Sequence, residues 1–315
     1  MPSIAFVANQ LSIRGTEVCI FDYAKGCRDI LNMQVYIFYP EDCDMAAYEK
    51  FKEEFWPCIT SYSSLQHLEL MVKELNIENV YWIKAGHNDG KLVPGVKNIV
   101  HAVFNTPYET NKHGDVYAYV SRFLSEQNNK APYVPHIVSL PDVKEDYKEL
   151  LRIPKDAVVF GRHGGNDSFD DPEAHKVVYE IALNNPYKYF LFMNTDVFCP
   201  SMPNIIHLAP THNVEVKTAF INTCDVMLHC RLRGETFGLA VCEFLHQNKP
   251  VITRSNSLEY HHVEVMGNKG FYYTTAAELY QILLHFKPTG YEYKKLVERF
   301  STEKVMERFN ELFIN

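Results

Sequence analysis

The chain lacks several features that would place it in common classes. No stretch approaches 18 consecutive apolar residues, so no segment reads as a membrane-spanning helix. The start, MPSIAFVANQ, has no charged-then-apolar signal layout, and the expected compartment is the cytoplasm. No block of lysine and arginine stands out, and the formal net charge is -8. A nucleic-acid partner, which calls for a basic face, is therefore not expected. The eight cysteines include no CxxC pair and lie scattered through apolar segments, as reduced, mostly buried thiols do. There is no GxGxxG, no GxxxxGK[ST], no HExxH spacing and no low-complexity tract, which weakens dinucleotide oxidoreductase, P-loop and zinc-hydrolase readings.

What is present is enough apolar material for two cores. Of 315 residues, 46% are hydrophobic and 13% aromatic, a length and composition that suit two folded domains better than one. Ile4 to Val7 reads as a buried strand, followed by a polar loop, a helix over Glu17 to Leu31 and a strand over Gln34 to Tyr39. Strand, loop, helix, strand within about forty residues is the pattern of a parallel sheet. It continues through a helical stretch at Leu65 to Leu75 and strands at Asn79 to Ile83, Asn98 to Val103 and Val116 to Val120, with Ser121 as a helix cap. Prolines at 132, 135, 141 and 154 then interrupt the pattern. It restarts at Ala157 to Phe160, with a loop from Gly161 to Asp170 and Asp171-Pro172 capping a helix that runs to about Asn184. Strands are expected at Lys188 to Phe192, Ile205 to Leu208, Val226 to His229 and Val251 to Thr253, with helices at Val214 to Thr223, Ala276 to Phe286 and Glu303 to Phe313.

The fold class is therefore α/β, with two doubly wound, Rossmann-like domains. We place the first at residues 1–136, a linker at 137–154, the second at 155–298, and a C-terminal helix at 299–315 expected to cross back to the first domain. Such domains bind ligands at the carboxyl ends of their strands, here expected across a cleft between the two.

The most informative segment runs from Arg231 to Glu243, RLRGETFGLAVCE. It follows a buried strand and leads into a helix. Gly234 and Gly238 allow close approach of backbone to a ligand, and a helix starting near Phe237 points unpaired N–H groups outward, suited to phosphate or sugar oxygens. Glu243 lies among apolar residues, where a carboxylate is costly unless it accepts hydrogen bonds, and a ribose diol supplies two. Glu235, at the loop end, can reach hydroxyls of a group held at the helix start. Taken alone, two glutamates eight residues apart are more often a capped helix with solvated carboxylates.

Context favours the sharper reading. The segment resembles the E-x7-E motif of retaining glycosyltransferases of the GT-B fold, the glycosyl transferase group 1 class. Phe237-Gly238-Leu239 is similar to that family's FGL, Asn248 to Ile252 to its GxPVI segment, and Asp225 to Leu228 to the preceding strand. Phe160-Gly161-Arg162 resembles the opening of its second domain and Tyr133 to His136 the segment before it. Arg14 to Glu17 is similar to the GGxE loop, Val100-His101 to a strand end and Val120-Ser121 to a helix cap. The matches follow the family order across nearly the whole chain.

The resemblance implies a nucleotide-diphosphate sugar as donor substrate and a glycan, lipid-linked or other hydroxyl acceptor. It implies no metal and no other cofactor, and at most peripheral membrane contact. Glu235, Arg162 and His101 would act at the reacting centre, with Arg162 stabilising departing diphosphate charge. Glu243, Phe237, Gly238, Leu239 and Gly15 would contact the donor. The family's lysine about five residues after the arginine is absent. In its place Gly164 and Gly165 could form an anion-holding nest, Ser168 could donate a hydrogen bond, and Arg231 or Arg233 could supply charge. His229-Cys230 replaces the family's proline-serine, and arginine replaces the first glycine of GGxE. These departures keep two alternatives open: a GT-B scaffold that binds a nucleotide sugar or glycan without turnover, and a sugar-nucleotide epimerase. Two rival signals carry less weight. Asp42-Cys43-Asp44 is a common tripeptide read as loop rather than metal site, and Leu258 to Glu264 is expected to be a solvated loop.

Overall fold

The computed structural model describes residues 1–315 and divides into two compact units, Met1–Ile137 with Arg299–Asn315, and Val138–Glu298. The first unit contains β1 (Ser3–Val7), α1 (Gly15–Asp29), β2 (Gln34–Pro40), α2 (Tyr48–Phe55), β3 (Ile59–Tyr62), α3 (Leu65–Glu74), β4 (Asn79–Lys84), β5 (Lys97–Ala102), α4 (Tyr108–Asn111), β6 (Val116–Tyr119) and α5 (Arg122–Gln127). Its six strands are all parallel, in the order β3-β2-β1-β4-β5-β6. Every residue of β1 and β4 is buried. That is the burial expected of strands covered by helices on both faces. Ser121 caps α5 by accepting from the amide of Leu124 at 3.3 Å.

The second unit contains β7 (Val158–His163), α6 (Pro172–Asn184), β8 (Lys188–Met193), β9 (Ile205–Leu208), α7 (Val214–Thr223), β10 (Val226–Leu228), β11 (Gly234–Glu235), α8 (Leu239–His246), β12 (Val251–Arg254), β13 (Glu259–Tyr260), α9 (His261–Met266), β14 (Phe271–Tyr273) and α10 (Ala276–His285). Its main sheet is again six parallel strands, ordered β14-β12-β10-β7-β8-β9. Numbered from the first strand of each sheet, both orders read 3-2-1-4-5-6, with the winding reversing between strands one and four. In the second unit that reversal lies between β7 and β10, and ligands of doubly wound sheets bind beyond the strand ends at this point. Asp171 caps α6 through the amides of Glu173 and Ala174, with Pro172 at the first helical position. The sheet and helices enclose a core that includes Phe160, Val178, Ile181, Phe190, Phe192, Leu228, Ile252, Leu279 and Leu283.

One segment differs in character from its sequence reading. Residues 138–154, expected as a linker, pack on the second unit: the amide of Tyr147 donates to Thr223 Oγ1 at 2.8 Å and Asn222 Nδ2 to the carbonyl of Val143 at 2.7 Å. At the C-terminus, α11 (Thr302–Phe309) and a following turn over Asn310–Ile314 belong to the first unit. Phe309 and Phe313 are fully buried there, against Phe6, Tyr23, Tyr81 and His101. No helix is long and apolar enough to cross a membrane.

Candidate functional site

The site of the second unit is built on the last two residues of β7. Successive side chains of a strand point to opposite faces, so Arg162 and His163 serve different neighbourhoods. Arg162 is 2% exposed. Its Nη1 donates to the carbonyl of His229, just beyond β10, and its Nη2 donates to Ser168 Oγ at 2.8 Å. The guanidinium also lies 5.3 Å from the centre of the Phe169 ring, while Nε has no hydrogen-bond partner. Burial lowers its pKa to about 10, so it stays charged at neutral pH. Ser168 Oγ in turn donates to the carbonyl of Gly165 at 2.6 Å, and Asn194 Nδ2 to that of Gly164 at 2.6 Å. Neither glycine takes a left-handed φ, so the expected anion nest is not present in its alternating-handed form.

Glu235 ends the short strand β11. Its Oε1 accepts from His229 Nε2 at 3.0 Å, and its Oε2 lies 2.9 Å from Arg231 Nη1. Burial alone would raise the pKa of this carboxyl. The His229 hydrogen bond and the charge of Arg231 outweigh it and lower the pKa to about 2. The close approach of Glu235 to the helix start is made by Gly238. It caps α8 at φ 86°, and a Cβ there would press on Glu235 Cβ at 3.2 Å and on His262 Cβ at 3.5 Å. No side chain caps α8, so its first amides lack an intrahelical or capping partner. Phe237 is buried and stacks on His261, which is also 2.7 Å from the Phe237 carbonyl. Leu239, not Phe237, opens the helix.

Glu243 occupies the buried face of α8. Its Oε1 accepts from Lys217 Nζ of α7, and its Oε2 lies 3.1 Å from His163 Nε2, which is not aligned for a hydrogen bond. Burial opposes ionisation of Glu243, and the Lys217 charge with the His163 contact overcomes it, lowering the pKa to about 2. His163 itself is kept neutral by burial and stacks on Phe244 of the same helix.

The structure thus brings together Arg162, Gly164, Gly165, Ser168, Arg231, Glu235, Phe237, Gly238 and Leu239, with Glu243 on the other face of β7. It sends Arg233 elsewhere, into a bidentate fork with Glu259 at 3.0 and 2.9 Å. In the first unit, Gly15 opens α1 with open space where a side chain would sit. His101 is fully buried, with Nδ1 2.6 Å from Tyr81 Oη and Nε2 2.9 and 3.2 Å from the carbonyls of Val134 and Tyr119. Burial lowers its pKa to about 4. With both ring nitrogens satisfied, His101 is a core histidine in this structure, and it offers no free nitrogen to a substrate. The segment from Leu258 to Glu264 is also not the solvated loop expected: Glu259, His261 and His262 are buried, and α9 begins within it.

Five residues of the site were not singled out from the sequence: His163, Lys217, His229, Thr253 and His262. His229 was visible as a departure from the family motif, and strand pairing gives the remaining signal. Leu228 of β10 pairs with Ile252 of β12, which sets His229 beside Thr253. Lys217 left no trace, because its partner lies in a different helix at a separation no period encodes.

Against known proteins, no family model and no curated protein matches the chain. Solved structures do match. Anabaena HepE, solved in complex with UDP-glucose, is 12% identical over 99% of each chain with a TM-score of 0.74. The fold is GT-B. A glycosyltransferase from Rickettsia africae is 16% identical, with a TM-score of 0.68 over 100% of this chain and 99% of that one. AviGT4, a glycosyltransferase involved in avilamycin A biosynthesis, is 13% identical, with a TM-score of 0.67 over 99% and 97%. At these identities the likeness to GT-B structures is one of fold.

Proposed function

We propose that the chain is a retaining, metal-independent glycosyltransferase that moves a sugar from a nucleotide-diphosphate sugar to a hydroxyl of a glycan or lipid-linked acceptor. The observation that carries this reading is the set of groups at the winding reversal of the second sheet. An always-charged Arg162, an ionised Glu235 and an uncapped helix start with Gly238 against Glu235 meet beyond the ends of β7 and β10. A diphosphate needs cations and amide donors, and a sugar needs fixed hydroxyl acceptors. The fold shared with sugar-nucleotide-binding HepE supports the same ligand class.

In this reading the bond between the donor's anomeric carbon and the diphosphate oxygen breaks as the acceptor oxygen attaches from the same face. The acceptor proton passes to the departing phosphate. The electron pair left on the diphosphate is stabilised by Arg162, by Arg231 and by the amides that open α8. Glu235 accepts hydrogen bonds from donor-sugar hydroxyls. Glu243 accepts from the ribose diol in exchange for part of its contact with Lys217.

A second reading, binding without turnover, is favoured by one feature: both Glu235 oxygens already hold protein partners. The test begins with thermal shift against UDP-glucose and other nucleotide sugars, followed by release of nucleotide with and without candidate acceptors. Transfer is expected, and Glu235→Gln should lower it by about 100-fold, the scale of losing one oriented polar contact in a reacting site. Undiminished turnover in that variant would sink the role of Glu235. Donor binding with neither transfer nor donor hydrolysis would establish the second reading, and conversion of the donor sugar without acceptor would establish an epimerase.

A further inference from the structure

Behind Glu235 lies a chain of buried polar groups that neither charge pairing nor packing requires. His229 Nε2 is 3.0 Å from Glu235 Oε1, His229 Nδ1 is 2.8 Å from Thr253 Oγ1, and His262 Nε2 is 3.1 Å from the same hydroxyl. All three side chains are within 1% of complete burial, and the two imidazoles lie 4.8 Å apart. The directions of these bonds follow from the inventory of each group. An ionised carboxylate only accepts, so Nε2 of His229 carries the proton. Burial lowers the pKa of His229 and keeps the ring neutral at pH 7, so its Nδ1 is a bare acceptor and Thr253 must donate to it. The Thr253 oxygen in turn accepts from His262 Nε2–H. His262 Nδ1 is left as the free end of the chain, and it has no partner. Every proton points toward Glu235.

We propose that His229 is a positioning residue for sugar transfer: its neutral Nε2–H, oriented by Thr253 and His262, fixes Glu235 as an acceptor for the hydroxyls of a bound sugar. The inference rests on the transfer reading given above. The arrangement leaves Glu235 with one lone pair on each oxygen beyond those used by His229 and Arg231. A carboxylate gripped at both oxygens cannot turn, so the remaining lone pairs keep one direction without reorganisation when a sugar arrives. A histidine kept only for packing would not need its tautomer set from behind. Here a hydroxyl and a second histidine do so. Four groups act on the charge of Glu235: His229 and Arg231 from the segment after β10, Arg162 from β7 and His262 from α9. Of these, His229 and His262 lie on the hydrogen-bonded chain, and His229 is the one bonded to Glu235 itself.

The test combines pH profiles with a readout that needs no turnover. With UDP-glucose as donor, wild-type kcat/KM should hold its plateau down to the lowest pH at which the protein stays folded. In His229→Leu an acidic limb should appear within that range, because a carboxylate that loses a donated hydrogen bond ionises less readily. The kcat should fall about tenfold. His229→Gln, whose side-chain amide can donate from nearly the same place, should restore the plateau. Thr253→Val, close in shape but without the hydroxyl, should bring the limb partway in. A structural role alone would scale the rate at every pH and leave the plateau in place, and that outcome would overturn the proposal. In the free protein, carbon-13 labelling of glutamate carboxyls and long-range proton–nitrogen spectra of histidines report the same groups. A His229 that is cationic or Nδ1-protonated at pH 7 would overturn the assignment, as would a Glu235 resonance that titrates identically in wild type and His229→Leu. Should no nucleotide sugar turn over at all, the transfer reading falls, and the carboxyl titration still decides whether His229 sets the state of Glu235.

Discussion

Lys217 and Glu243 show how much a single buried charge depends on its partner. The Glu243 side chain is 5% exposed and that of Lys217 16%. With both present, the cost of removing them from water is offset by their attraction, but deleting either leaves the other uncompensated. Lys217→Met is therefore expected to destabilise the second unit by about 3 kcal/mol, at the lower end for a broken buried pair. The double variant with Glu243→Leu should recover most of that loss, as urea denaturation would show. A double variant as unstable as the single would mean that Lys217 contributes through packing instead. The glutamates and Arg162 were legible because motif spacing marks them. Lys217 and Thr253 were not, since pairing between elements leaves no period in the chain. The resemblance puts His101 in the site through its place in the motif order, yet residue type and position cannot distinguish a reacting imidazole from one whose nitrogens are both taken by Tyr81 and the carbonyls of Val134 and Tyr119.

At the scale of elements, the glycines mark where backbone approach is obligatory and where it is not. Gly234 sits at φ 80° in β11, and a Cβ there would run into the carbonyl of Glu259 on the paired strand β13. Gly234→Ala must both strain its own backbone and part this pair, so it should cost roughly 2 kcal/mol or more and loosen the Arg233–Glu259 fork. Gly15, at the start of α1, meets nothing within 4 Å and has no left-handed φ. Gly15→Ala should leave stability unchanged within about 0.5 kcal/mol, so any loss of donor binding in that variant reports ligand contact rather than folding. Thermal unfolding of the two variants side by side checks both expectations, and equal losses would refute the distinction. Most long elements were legible: β9 and α7 have the bounds read from the sequence, and Asp171-Pro172 caps α6 as its chemistry dictates. The two-residue strands β11 and β13 were not. Their pairing depends on contact between distant loops, and two residues carry no alternation to read. The strand β7 also runs to His163, three residues beyond the expected end, because Gly161, Arg162 and His163 keep pairing with β8.

At the scale of the whole chain, the two units meet acid differently. In the second unit His163, His229 and His262 all have folded pKa values lowered by burial, against an ordinary value of 6.5. The unfolded chain therefore binds more protons below pH 6.5, and stability is lost as pH falls. Each such histidine removes up to about 1.4 kcal/mol per pH unit until its own folded value is reached. Glu235 and Glu243, both lowered to about 2, extend the loss in the same direction from pH 4.5 downward. The first unit carries His101, lowered to about 4, but also Glu17, whose pKa is raised by burial despite hydrogen bonds from Thr16 and Ser12. Glu17 acts in the opposite sense, since its folded form takes up a proton more readily than its unfolded form. The second unit should therefore loosen first. Hydrogen exchange at pH 5.5, corrected for intrinsic rates and compared with pH 7.5, is expected to show faster opening of β7, β10 and β12, with β1, β4 and β5 less affected. Uniform loss of protection across both sheets would mean that these histidines are not held neutral by the fold, and the chain of bonds behind Glu235 would lose its physical basis along with them.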